Sequence, residues 1–119
     1  MFKRSHTCGE LTLKEVGDDI ALNGWVNSTR DHGGLIFIDL RDRYGITQLT
    51  FNEEINSEAF TQAKKLSMED VISVKGEVIK RDVNAIRKEI SSGEIEVEVS
   101  ELIILNESKP LPFLISDRE

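Results

Sequence analysis

Gly33-Gly34-Leu35-Ile36-Phe37-Ile38-Asp39-Leu40-Arg41-Asp42-Arg43-Tyr44-Gly45-Ile46-Thr47-Gln48-Leu49-Thr50-Phe51 reads as two β-strands and the turn between them. Branched and aromatic residues run from Leu35 to Arg41. Asp42-Arg43-Tyr44-Gly45 is a tight-turn signal, and the strand pattern resumes from Ile46 to Phe51. Gly33 and Gly34 permit a turn with positive φ just before. Side chains alternate across a strand, so Ile36, Ile38 and Leu40 share a continuously apolar face, the expected core. Leu35, Phe37, Asp39 and Arg41 take the opposite face. On the next strand Leu49 and Phe51 share one face and Ile46, Gln48 and Thr50 the other, so Gln48 is expected to point outward. An outer aromatic at 37 either packs beneath a loop or a neighbouring domain, or serves as a platform on which a nucleobase stacks. Gln48 is either a solvated polar residue or an amide whose donor and acceptor read a base edge. Asp39, Arg41, Asp42 and Arg43 alternate in sign and read as a salt-bridged strand end and turn.

Working outward, a first strand runs from about Ile20 to Thr29, interrupted by Gly24, which suggests a bulge or sharp coil. Arg30 closes it and opens a loop with Asp31 and His32. A helix is expected over roughly Ser57 to Leu66, capped by Asn56 or Ser57, with Phe60, Ala63 and Leu66 on one face. A fourth strand runs from about Val71 to Arg81, with Ile72, Val74 and Val78 inward and Lys75, Glu77 and Arg81 outward. A fifth runs from about Glu94 to Leu105, with Ile95, Val97 and Val99 inward and Glu94, Glu96 and Glu98 outward. Residues 82–93 form a polar hairpin loop, and Lys109-Pro110-Leu111-Pro112 reads as a linker. Three strands, a helix, then two strands is the order of the OB-fold: an all-β, five-stranded Greek-key barrel with one helix between strands 3 and 4. Element order alone leaves an SH3-like barrel or another small α+β fold open.

The 119 residues amount to one ordinary domain, 39% hydrophobic and 31% charged. Cys8 is the only cysteine, which excludes an internal disulfide and suits a reducing, cytoplasmic setting. With two histidines, His6 and His32, besides it, no metal-ligand spacing is present. Lys3 and Arg4 have no apolar stretch behind them, so no signal peptide is expected. The longest apolar run, Leu102 to Leu105, is too short to span a membrane. The net charge of −7 argues against a generic nucleic-acid binder, which would be basic. No catalytic constellation is apparent: no nucleophile has an arranged base, and no carboxylate pair sits in apolar surroundings.

Trp25-Val26-Asn27, the run from Arg30 to Gln48, His6-Thr7-Cys8-Gly9-Glu10-Leu11, Ser92-Gly93-Glu94-Ile95-Glu96-Val97 and Pro110-Leu111-Pro112-Phe113 together resemble the N-terminal region of bacterial aspartyl-tRNA synthetases. The resemblance covers nearly the whole chain. It implies an OB-fold over residues 1–108 that grips the anticodon loop of aspartate tRNA, then the start of a hinge over 109–119. By position, Phe37 matches the aromatic that stacks on an anticodon base, and Gln48 the amide that bonds a base edge. Arg30, Arg81 and Glu96 match residues touching the flanking anticodon bases or their phosphates. His32 occupies a position linked to how strictly the anticodon is read, and a histidine there resembles the relaxed type that also charges asparagine tRNA.

Two departures stand out. Many members carry three consecutive arginines where this chain has Ser28-Thr29-Arg30, and Val83-Asn84-Ala85-Ile86 differs from the usual pattern. With the acidic charge, these imply weak RNA binding by this domain alone. The resemblance further implies a separate class II catalytic body that uses ATP and Mg2+, neither of which this chain would hold. It also implies a homodimeric full enzyme; the chain itself, read as a piece of that enzyme, is expected to be monomeric. The rival expectations are an OB module for protein contact and a sequence-indifferent single-strand binder.

Overall fold

In the computed structural model, residues 2–82, 85–90 and 92–106 are described. The expected linker at 109–119 lies outside them, as do Val83 and Asn84. Five strands, β1 (Asp19–His32), β2 (Leu35–Asp42), β3 (Gly45–Asn52), β4 (Val71–Lys80) and β5 (Ile95–Asn106), form a closed barrel in the order β1-β2-β3-β5-β4. All neighbours are antiparallel except β3 and β5, which close the barrel in parallel. This is the OB-fold wiring.

Closure depends on β1. Its first half, Asp19 to Trp25, pairs with β4; from Trp25 to His32 it pairs with β2. Gly24 sits at the handover, where a Cβ would run into the carbonyl oxygen of Arg41. Its lack of a side chain lets two backbones approach. The expected bulge lies elsewhere, between Val26 and Ser28. β1 also continues past Arg30 through Asp31 and His32, read above as a loop, because β2 supplies ladder partners as far as Leu35. Only Gly33, with φ +69, and Gly34 are left to turn the chain.

The inward faces follow the alternation. Ile36, Ile38, Leu40, Leu49, Phe51, Ile72, Val74, Val78, Ile95, Val97 and Val99 are all buried. The helix α1 (Ser57–Ala63) adds Ala59, Phe60 and Ala63. Asn56 is its cap: the side-chain oxygen accepts from the Ala59 N–H at 3.0 Å, while its amide donates to the Ser100 carbonyl at 2.7 Å, tying the helix to β5. The helix is shorter than expected. Its last turn tightens, with the Leu66 N–H bonded to the Ala63 carbonyl, and Leu66 is still buried.

A short 3-10 turn, Leu13–Glu15, and the segment before it were not expected as structure. Cys8 and Leu11 from this segment join the core. The Cys8 N–H donates to Asp42 Oδ2 at 2.8 Å, and the Thr47 hydroxyl donates to the Cys8 carbonyl at 2.8 Å. Asp42 Oδ1 accepts from the N–H groups of Tyr44 and Gly45. Asp42 is therefore a turn organiser, not the salt-bridge partner expected from its charged neighbours. Burial, reinforced by the Asp42 charge, pushes the Cys8 thiol far above its ordinary range.

Gly24→Ala should lower the free energy of unfolding by ~1–3 kcal/mol through this backbone clash. Urea denaturation checks it; an unchanged midpoint would remove Gly24 from the closure of the barrel.

Candidate nucleic-acid interface

The irregularity between Val26 and Ser28 sets which β1 side chains face outward. Beyond it, Ser28 pairs with Asp39, Arg30 with Phe37 and His32 with Leu35. Cross-strand partners share a face, so Ser28, Arg30 and His32 join Phe37 and Asp39. On β3, Thr50 lies beside Phe37 and Gln48 beside Asp39. Thr29 pairs with inward-facing Ile38, so its side chain belongs to the other face. Of the two arginines the resemblance finds missing, only the one at Ser28 would have faced this surface.

A chain of hydrogen bonds crosses these strands. Asp39 accepts from Arg87 Nη1 at 2.9 Å, from Arg30 Nη2 and Nη1 at 3.3 and 3.4 Å, and from the Ser28 hydroxyl at 3.0 Å. Arg30 Nη2 also donates to Gln48 Oε1 at 2.9 Å, and Gln48 Nε2 donates to Glu96 Oε1 at 2.8 Å. Arginine only donates and an ionised carboxylate only accepts. These two neighbours therefore fix which end of the Gln48 amide carries oxygen and which carries nitrogen. One lone pair and one N–H of the amide are left over.

Burial would raise the Asp39 pKa, but the hydrogen bonds and charges of Arg30 and Arg87 outweigh it and hold the carboxyl below its ordinary value. Sequence reasoning missed Arg87. The one available signal was indirect: an acid on a face destined to be covered calls for more than one cation.

Arg81 follows β4. It was expected to point outward, and it lines a groove over this face, yet it is only 4% exposed. Its Nε donates to the Ile95 carbonyl at 2.9 Å and its Nη1 to the Ala85 carbonyl at 3.3 Å, while Nη2 is buried without a partner among the described residues. Burial pushes the pKa down, as do the charges of Arg87 and Arg30, against Glu96 and Asp39; an arginine nevertheless stays protonated. Gln48 faces outward as expected but is not a freely solvated side chain. It lies on the outer face but is only 7% exposed, because Arg30 and Glu96 hold it.

An open groove of about 540 Å³ lies over this surface. Every residue singled out by resemblance lines it: Arg30, His32, Phe37, Gln48, Arg81 and Glu96, joined by Asp82, Ala85 and Arg87. Phe37 is half-buried and outside the barrel interior. The His32 ring meets it edge-on, 5.5 Å between centroids at 70°. The groove thus combines an aromatic wall, an oriented amide and three guanidinium groups, with Glu96 as an acceptor. Those are the parts of a site for an unpaired, anionic, base-bearing strand.

A barrel of this wiring carrying that groove is an OB-fold nucleic-acid-binding domain. The chain belongs to the tRNA anti-codon family, described as an OB-fold nucleic acid binding domain, which it matches over residues 20–105. It is 49% identical over 116 residues to an aspartate–tRNA(Asp/Asn) ligase of Caldanaerobacter subterraneus, covering 98% of this chain and 20% of that protein. The chain spans about a fifth of the length of the curated relatives it matches. Among solved structures, asparaginyl-tRNA synthetase from Pyrococcus horikoshii, complexed with asparaginyl-adenylate, superposes with a TM-score of 0.75 at 29% identity, over 96% of this chain and 25% of that one. An OBody bound to hen egg-white lysozyme superposes with a TM-score of 0.78 at 26% identity, over 91% of this chain and 98% of that one.

The depressed Asp39 pKa has a definite sign. Its stabilisation is complete above the unfolded carboxyl value of about 3.9 and is lost as pH falls through the lower folded value. Asp39→Asn should be less stable than the native chain at pH 7 and lose less stability on acidification below about pH 4. Urea midpoints measured from pH 7 to pH 2.5 check this, and parallel curves for the two proteins would refute it.

Proposed function

We propose that this chain is the anticodon-reading domain of an aspartate–tRNA ligase, and that the groove over β1, β2, β3 and β5 takes the anticodon loop. The observation that carries the reading is the polarised Gln48 amide beside the half-buried Phe37 ring. Phe37 provides the stacking surface, backed by His32. Gln48 meets the edge of the stacked or adjacent base with its remaining N–H and lone pair. Among the described residues the buried Arg81 Nη2 has no acceptor, which costs on the order of 1–3 kcal/mol, and its charge, at the edge of the groove, favours an anionic strand there. Arg30 contributes a second cation and Glu96 an acceptor for a base amine.

The chemistry belongs to the longer protein. There, a catalytic body would bind ATP and Mg2+ and charge the tRNA that this domain orients. No residue of this chain is assigned to that step. The longer enzyme is read as a cytoplasmic homodimer assembled chiefly through its catalytic body. His32 against Phe37 suits the relaxed reading, in which both aspartate and asparagine tRNA are accepted. A second reading is a domain for protein contact, favoured by the acidic net charge and by the superposition on a barrel that holds lysozyme. A single-strand binder indifferent to sequence would instead bind unrelated oligonucleotides equally well.

NMR titration with the anticodon stem-loop of aspartate tRNA separates these readings. Shifts centred on Phe37 and Gln48, weaker for unrelated oligonucleotides, are expected; none at low salt would favour protein contact. Phe37→Ala should cost ~1–3 kcal/mol of RNA affinity with the fold intact by circular dichroism. Gln48→Ala should chiefly narrow the gap between cognate and substituted anticodons.

With the full-length enzyme, aspartylation of both aspartate and asparagine tRNA is expected. Strict rejection of asparagine tRNA would overturn the role given to His32.

A further inference from the structure

The outer face of β2 and β3 continues past the groove. Arg41 follows Phe37 and Asp39 on that face of β2 and pairs with Ile46, which precedes Gln48 on the same face of β3. The segment after β4 crosses between the two regions, with Arg87 bonded to Asp39 and the Ser92 hydroxyl to the Ile46 carbonyl. On its far side lies a second cleft of about 340 Å³, whose walls include Arg41, Arg43, Tyr44 and Glu89. Tyr44 is 55% exposed, and the Arg4 guanidinium lies 5.7 Å from its ring centroid.

Arg4, Arg41 and Arg43 are exposed, and among the described residues none of them is in an ion pair. Three acids lie nearby and each has a hydrogen-bond donor: Glu10, on which the Arg4 charge acts, accepts from the Thr7 N–H. Asp42 is buried and accepts from backbone N–H groups, and Glu89 is bonded to Arg87. In a chain of net charge −7, three arginines without an ion pair among the described residues, gathered around a half-exposed aromatic ring, make this patch less acidic than the average surface.

We infer that this patch is a second RNA contact, resting on the reading proposed above. Arg41 and Arg43 hold backbone phosphates of nucleotides flanking those in the main groove, and the Tyr44 ring lies under one of them. The placement suits a single continuous strand. Phe37 and Arg41 are four residues apart on one β-strand, ~13 Å at about 3.3 Å per residue, so RNA seated on Phe37 has its neighbouring phosphates within reach. Cations with an open aromatic face recognise a nucleic-acid backbone; an acidic protein surface is the competing occupant.

Binding of the chain to the anticodon stem-loop of aspartate tRNA, measured at several salt concentrations, tests this. Arg41→Gln with Arg43→Gln should lower affinity roughly tenfold at low salt and flatten the slope of log K against log salt by about 1.4, ~0.7 for each lost phosphate contact. Phe37→Ala should lower affinity while leaving that slope unchanged. Tyr44 is the only tyrosine, so its ring protons report separately by NMR and should shift when RNA is added to the native chain. Native affinity and slope in the double variant, with binding lost in Phe37→Ala, would overturn the second contact and leave the groove reading standing; that is the pattern of a protein-docking patch. Unchanged binding in both variants would overturn the two together. Should the double variant melt early, Arg43→Gln alone carries the test, with half the change in slope expected.

Discussion

The five-stranded sheet closes on itself here because one strand, β1, pairs along successive halves with both β4 and β2. Its first half bonds to β4 and its second to β2, with Gly24 admitting the Arg41 carbonyl at the crossing. The irregularity that lets the strand bend also resets its alternation. Past Val26, Ser28, Arg30 and His32 turn to the outer face, where Phe37 and Asp39 already lie. The geometry that closes the core therefore also loads the binding face.

On that face the buried Asp39 carboxylate organises its neighbours. A lone carboxylate there would be costly to bury. Paired with Arg30 and Arg87, it fixes a strand residue and a residue of the following segment in one arrangement. Arg30, so held, reaches Gln48, and Gln48 reaches Glu96. Five separate stretches of chain are thereby brought to one surface before any ligand arrives, which lessens the ordering that binding must pay for. The acidic overall charge coexists with a groove lined by three guanidinium groups.

Much of this was legible in the sequence, for a physical reason. Strand alternation is local, so the inward residues of β2 to β5 followed from period two, and Phe37 was correctly excluded from the barrel interior. Alternation names a face but does not say what lies over it. Gln48 and Arg81 were expected to point outward, and both line the groove, yet a hydrogen-bonded network covers one and residues after β4 cover much of the other. Arg87 was illegible because its partner is 48 residues away and its own surroundings carry no periodic pattern. The strand identity of Asp31 and His32 was missed because ladder partners, not composition, hold them extended. The bulge was sought at Gly24, the residue most permissive of one, but it lies where β1 begins its independent pairing with β2.

The trapped Gln48 amide has an evolutionary corollary. A free carboxamide can exchange its oxygen and nitrogen by rotating half a turn, which makes it a lenient reader. Here such a rotation would set nitrogen against guanidinium and oxygen against carboxylate. A lineage drifting toward a different nucleotide preference at this spot could not get there by reorienting Gln48 alone. The residues on either side would have to trade character together, so the three positions should be inherited as a block.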